Sequence, residues 1–67
     1  MIIYKDILQK LKDAGYTTTR LRKEKILSES TLTKLRNNGP ITMETLDMIC
    51  QLTDLPVEEL IEYKKVL

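Results

Sequence analysis

The chain has 67 residues, enough for one small domain of thin stability margin and with little room for a deep catalytic pocket. It holds no His and a single cysteine, Cys50, which removes the commonest general base and metal ligand, an intrachain disulfide and a Cys-rich zinc site. Net charge is only +1, yet six bases (Arg20, Arg22, Lys23, Lys25, Lys34, Arg36) against two acids (Glu24, Glu29) occupy Arg20 to Arg36, while Asn37 to Glu62 carries six acids and no base.

In chain order, the opening Met1-Ile2-Ile3-Tyr4 is β-branched and reads as extended. Acids and bases within the first ten residues argue against a signal peptide or a membrane span, so a reducing cytoplasm is the expected setting. Tyr4, Ile7, Leu8, Leu11 and Ala14 then follow helical spacing, and Gly15 supplies the left-handed residue that ends a helix, with Tyr16 folding back. Thr17-Thr18-Thr19 caps a second helix running through Leu21 to about Lys25. Ile26-Leu27 lead to Ser28, an N-cap for a third helix, Glu29 to Asn37, whose apolar residues are Leu32 and Leu35. Asn38-Gly39-Pro40 stops it. Thr42 caps a fourth helix with Met43, Leu46, Ile49, Cys50 and Thr53 as its core stripe. Met48 and Leu52 fall on another side and are read as exposed, either as dimer candidates or as scattered surface residues. Pro56 opens a fifth short helix containing Val57, Leu60 and Ile61. The expected architecture is therefore all-α, a single domain over residues 1–67 of five short helices. Met1 to Ile3 and Tyr63 to Val66 are expected to pair as a short β ribbon, which needs packing on the helices because an isolated pair is marginal.

Two short helices joined by the tight connection Ile26-Leu27-Ser28 form a helix-turn-helix pattern. On the third helix, Glu29, Ser30, Thr33, Lys34 and Asn37 point away from the leucines, and each donates or accepts hydrogen bonds. An α-helix fits the major groove of duplex DNA, where Lys34 suits guanine, Glu29 a cytosine amino group, and Ser30 and Thr33 several bases. The start of the second helix, with Thr18, suits phosphate, as do Asn37 and Asn38. Arg36 has two equal readings, a phosphate contact or a pair with an acid. Unevenly distributed charge also orients a protein on a polyanion, although charge runs equally serve to solvate helix faces. Nothing in the chain assembles a nucleophile-base pair, a metal cluster or a cofactor loop. No enzymatic activity and no cofactor are expected.

From Thr17 to Leu60 the sequence resembles the lambda-repressor/Cro-type (Xre-type) helix-turn-helix regulators, especially short bacterial and mobile-element members. The carrying residues are TTTRLRKEKILSESTLTKLRNNG followed by ITMETLDMICQLTDLPVEELIEY. The resemblance implies a DNA-binding transcriptional regulator with the helix-turn-helix in helices two and three. It places base reading on Glu29, Ser30, Thr33 and Lys34, and phosphate contact on Thr18, Asn37 and Asn38. Two departures stand out. Ile26 occupies the turn position usually held by Gly, where a β-branched residue resists positive φ. Arg22 replaces a small residue, so that either the helix packing differs there or Arg22 swings out toward phosphate. The expected partners are double-stranded DNA and a second copy in a homodimer, with repression the expected outcome. The alternative is a protein-interaction module using the acidic C-terminal half and the Met48/Leu52 patch.

Overall fold

The computed structural model describes residues 1–67 and runs β1 (Ile2–Tyr4), α1 (Ile7–Asp13), α2 (Thr18–Lys23), α3 (Glu29–Arg36), α4 (Met43–Thr53), a single 3-10 turn (Val57–Glu59) and β2 (Ile61–Tyr63). No helix is long and apolar enough to cross a membrane.

Local sequence sets the helix boundaries. Thr17, Ser28 and Thr42 each adopt extended backbone, and each hydroxyl accepts the amide three residues on, at 3.2, 3.2 and 3.1 Å. Such caps are worth roughly 1 kcal/mol apiece. At the other end of α1, Gly15 sits at φ 95°, with Tyr16 N donating to Leu11 O at 2.8 Å and Gly15 N to Lys12 O at 2.9 Å. These paired bonds satisfy the last carbonyls of the helix and turn the chain sharply. Ile7, Leu11, Leu21, Leu27, Leu32, Leu35, Leu46, Ile49 and Leu60 form one buried cluster contributed by every helix, the connection before α3 and the end of the 3-10 turn.

The fifth helix is not an α-helix. After Pro56 the chain makes one 3-10 turn, with Glu59 N donating to Pro56 O and Leu60 N to Val57 O, both at 3.0 Å. It cannot continue, because Leu60 is buried and its carbonyl accepts from Lys5 N at 2.8 Å, which commits the next residues to pairing with β1. The terminal ribbon exists, but its C-terminal strand begins at Ile61. It pairs antiparallel, with Ile2 opposite Tyr63, Ile3 opposite Glu62 and Tyr4 opposite Ile61.

The stripe on α4 is also narrower than its spacing suggests. Leu46 and Ile49 are buried, and Cys50 and Thr53 are half-buried, but Met43 is 80% exposed. As the first residue of the helix, its side chain leans back beyond the edge of the core. Met48 and Leu52 do not make an exposed pair. Met48 is 40% exposed, whereas Leu52 lies closer to the direction of Ile49 and packs half-buried against the core.

A single side chain joins the ribbon to the helices. Asn38, just past α3, stands at φ 57°, a conformation that Asn tolerates better than most residues. Its Oδ1 accepts from Tyr4 N at 2.9 Å and its Nδ2 donates to Ile2 O at 2.7 Å. The amide thus takes the place of a neighbouring strand along β1. The Tyr4 hydroxyl donates to Gly39 O beside it, and burial pushes the phenol above its ordinary pKa of 10.0.

Replacing Asn38 by Ala removes both bonds and keeps an unfavourable left-handed residue. The expected loss of stability is about 1–3 kcal/mol in denaturant unfolding. Asn38→Gly relieves the backbone alone and should recover only part of that loss. If Gly matches the native protein, the side-chain bridge contributes nothing.

Candidate nucleic-acid interface

The rotation of α3 follows from two leucines. Leu32 and Leu35 are buried, so at about 100° per residue Ser30, Thr33, Lys34 and Asn37 fall within about 50° of the opposite direction. All four are exposed, as is Glu29 on the flank of that face. Ser28 secures the start of the helix, its Oγ accepting from Thr31 N and lying 3.0 Å from Thr31 Oγ1. The exposed face carries a hydroxyl, a hydroxyl with a methyl, an ammonium and a carboxamide, and no large apolar group.

The connection between α2 and α3 repeats the ending of α1 without a glycine. Ile26 N donates to Leu21 O at 2.9 Å and Lys25 N to Arg22 O at 3.1 Å. The left-handed residue is Lys25, at φ 55°, and not Ile26, which has no positive φ and packs half-buried against the core. The β-branched side chain therefore occupies a permitted backbone position, and the strain belongs one residue earlier. Lys25 is the odd member among the positive-φ side chains, the others being Asp6, Asn38 and Asp54.

Within the basic stretch, the three arginines already have acidic partners. Arg20 Nε lies 2.7 Å from Glu24 Oε2, its guanidinium covers the Tyr16 ring at 4.5 Å, and Nη1 donates to Gly15 O. Arg20 is thus a latch across the turn from α1 to α2. Arg22 Nε lies 3.4 Å from Glu29 Oε2 and close to Thr18 O, and Arg36 Nη1 lies 3.8 Å from Glu29 Oε1. Glu29 therefore sits between two guanidinium groups at the side of α3. These pairs are solvent-exposed, where an ion pair is worth at most about 1 kcal/mol, so a stronger anion displaces the carboxylate readily.

Lys23, Lys25 and Lys34 have no ion-pair partner. Lys23 and Lys25 were visible in the basic run but carry no distinctive motif; their place at the end of α2 and in the turn, beside the start of α3, is what marks them. Thr18 is half-buried at the start of α2, next to the Thr17 cap, and Asn37 is open at the end of α3. Asn38 does not join this surface, because both ends of its amide are bound to β1. The acidic residues Glu44, Asp47, Asp54, Glu58, Glu59 and Glu62 form no ion pair, but Lys5 Nζ and Lys10 Nζ donate to the carbonyls of Glu58 and Glu59, which brings two bases beside the acidic segment.

Residues 6–65 match the family model of the Cro/C1-type HTH DNA-binding domain. No curated protein and no solved structure matches the chain.

The turn geometry can be tested directly. A left-handed L-residue costs roughly 1–2 kcal/mol, so Lys25→Gly should raise stability by up to about 1 kcal/mol after the entropic cost of glycine. Lys25→Val should lower it. Thermal unfolding of the two variants decides the point, and equal effects would place the strain elsewhere.

Proposed function

The chain belongs to the Cro/C1-type HTH DNA-binding domain family, and from that premise we propose that it is a sequence-specific regulator of transcription that reads duplex DNA with α3. The observation that carries the reading is the free projection of Ser30, Thr33, Lys34 and Asn37 from the side of α3 opposite its buried leucines. A helix presenting short polar side chains and one ammonium enters the major groove without steric obstruction and meets base edges there. Lys34 donates to guanine O6 or N7. Ser30 hydrogen-bonds to several bases, and the Thr33 methyl touches a thymine methyl. Glu29 accepts from a cytosine amino group at the flank of the contact.

Phosphates supply most of the affinity. Lys23 and Lys25 are available at once, with Thr18 at the start of α2 and Asn37 at the end of α3. Arg22 and Arg36 become available when phosphate competes with Glu29. The carboxylate thus limits non-specific attraction and leaves discrimination to the bases. Occupying the groove excludes other proteins from the same site, which is the physical basis for repression. In a twofold homodimer the half-sites lie about 34 Å apart, one helical turn.

Two substitutions test the assignment against a duplex selected from a random pool. Lys34→Ala should cost about 1–3 kcal/mol on the selected site and relax preference at a single base pair. Glu29→Gln should raise affinity for random duplex and steepen its salt dependence by about 0.9 for each arginine released to a phosphate. Lys34→Ala binding the same sequences with the same affinity would overturn the role of α3.

A further inference from the structure

The chain turns back against α3 as soon as the helix ends. Gly39 N donates to Lys34 O at 2.7 Å, which brings the Gly39 backbone alongside that lysine. A methyl group added at Gly39 would meet Lys34 Cβ and Cγ at 3.3 Å and Lys34 Cα at 3.4 Å, tighter than an ordinary carbon–carbon contact. Left-handed backbone is not the reason for a glycine here, because that conformation belongs to Gly15 and not to Gly39. What Gly39 supplies is room for the base of the Lys34 side chain.

The Gly39 backbone is pinned at its amide, its carbonyl and both neighbours. The amide is bound to Lys34, the carbonyl accepts the Tyr4 hydroxyl, and the preceding Asn38 is bridged to Ile2 and Tyr4. The following Pro40 restricts the residue before it to extended backbone. Lys34, by contrast, is exposed and has no ion-pair partner. Crowding between a fixed chain and a free side chain is relieved by the side chain, which changes rotamer. A rotation at the first torsion of a four-carbon stem displaces the ammonium much further than it displaces Cγ. Guanine O6 and N7 accept only from a narrow range of positions in the major groove, so such a displacement changes which base is read.

We propose that Gly39 is a positioning residue for base recognition, which keeps free the space that the Lys34 stem occupies and so sets the base pair its ammonium reaches. The proposal rests on α3 as the reading helix. It adds that the choice of base depends on a residue outside that helix, held in place by Tyr4 of the terminal ribbon.

Rotamer and binding measurements on the full chain test it. In the free protein, three-bond couplings to Lys34 Cγ should report one dominant rotamer, which Gly39→Ala replaces while the core keeps native amide-exchange protection. On the duplex selected by the native protein, Gly39→Ala should lose roughly fivefold and change the preferred base at the pair that Lys34→Ala relaxes. Affinity for random duplex and its salt dependence should stay native, because no charge is removed. In the Lys34→Ala background, Gly39→Ala should cost nothing further on DNA. Tyr4→Phe frees the Gly39 carbonyl without adding an atom, and should broaden the Lys34 rotamers and weaken preference at the same base pair. Unchanged rotamers and base preference in both variants overturn the proposal. So does a Gly39→Ala loss that falls equally on random duplex, or that adds in full to that of Lys34→Ala. If Lys34→Ala relaxes the preference and Gly39→Ala does not, this proposal falls and the reading of α3 stands; if Lys34→Ala has no effect, both fall.

Discussion

The arrangement of this molecule depends on what happens immediately after α3. A helix of eight residues held by two buried leucines is free to fray at its C-terminus unless the chain beyond it is fixed. Asn38 fixes it twice, by taking the left-handed conformation that turns the chain and by extending its amide to β1. The same amide supplies a third line of bonds to a ribbon that would be marginal with only two strands. Gly39 completes the join, since Gly39 N donates to Lys34 O at 2.7 Å and its carbonyl accepts the Tyr4 hydroxyl. A side chain at Gly39 would press on Lys34 at 3.3 Å, which ties the small residue there to the position of a proposed base-reading lysine. Core, ribbon and interface meet at these two residues.

Much of this was legible from residues whose local chemistry admits few alternatives. Thr17, Ser28 and Thr42 are caps because a hydroxyl at extended backbone reaches the third amide, and Gly15 ends α1 because it carries no Cβ. The spacing of Leu32 and Leu35 fixed which side of α3 faces out. Errors arose where the outcome depends on neighbours. Met43 matches the period of the α4 stripe, but no periodicity reports where the core ends along a helix axis. Ile61 to Tyr63 could continue a short helix or pair with β1, and only the ladder to Ile2–Tyr4 decides between them. Asn38 is a stop signal in any reading. That its side chain bridges Ile2 and Tyr4, 36 and 34 residues away, has no local signature.

Glu29 shows how position changes the meaning of a charge. Counted along the chain, it merely reduces a basic excess. In the fold it stands between Arg22 and Arg36 at the edge of the exposed face, holding two guanidinium groups beside the surface at almost no energetic gain. A weak internal pair is well suited to a polyanion-binding surface. It restrains long side chains near their eventual contacts, and it yields when a phosphate offers a stronger site. Arg20 looks similar in sequence but is held by a carboxylate, an aromatic ring and a carbonyl together, which makes it part of the frame.

The ribbon and α3 are therefore mechanically one unit. Ile61 to Tyr63 pair with Ile2 to Tyr4, whose backbone holds Asn38 at the end of α3. The connection needs no conformational change, because each link is a short hydrogen bond between backbone or carboxamide groups with little rotational freedom. A strand added along β1 would displace the Asn38 amide and loosen the helix that presents Lys34. Closing that edge with a carboxamide therefore serves the ribbon and the end of α3 at once.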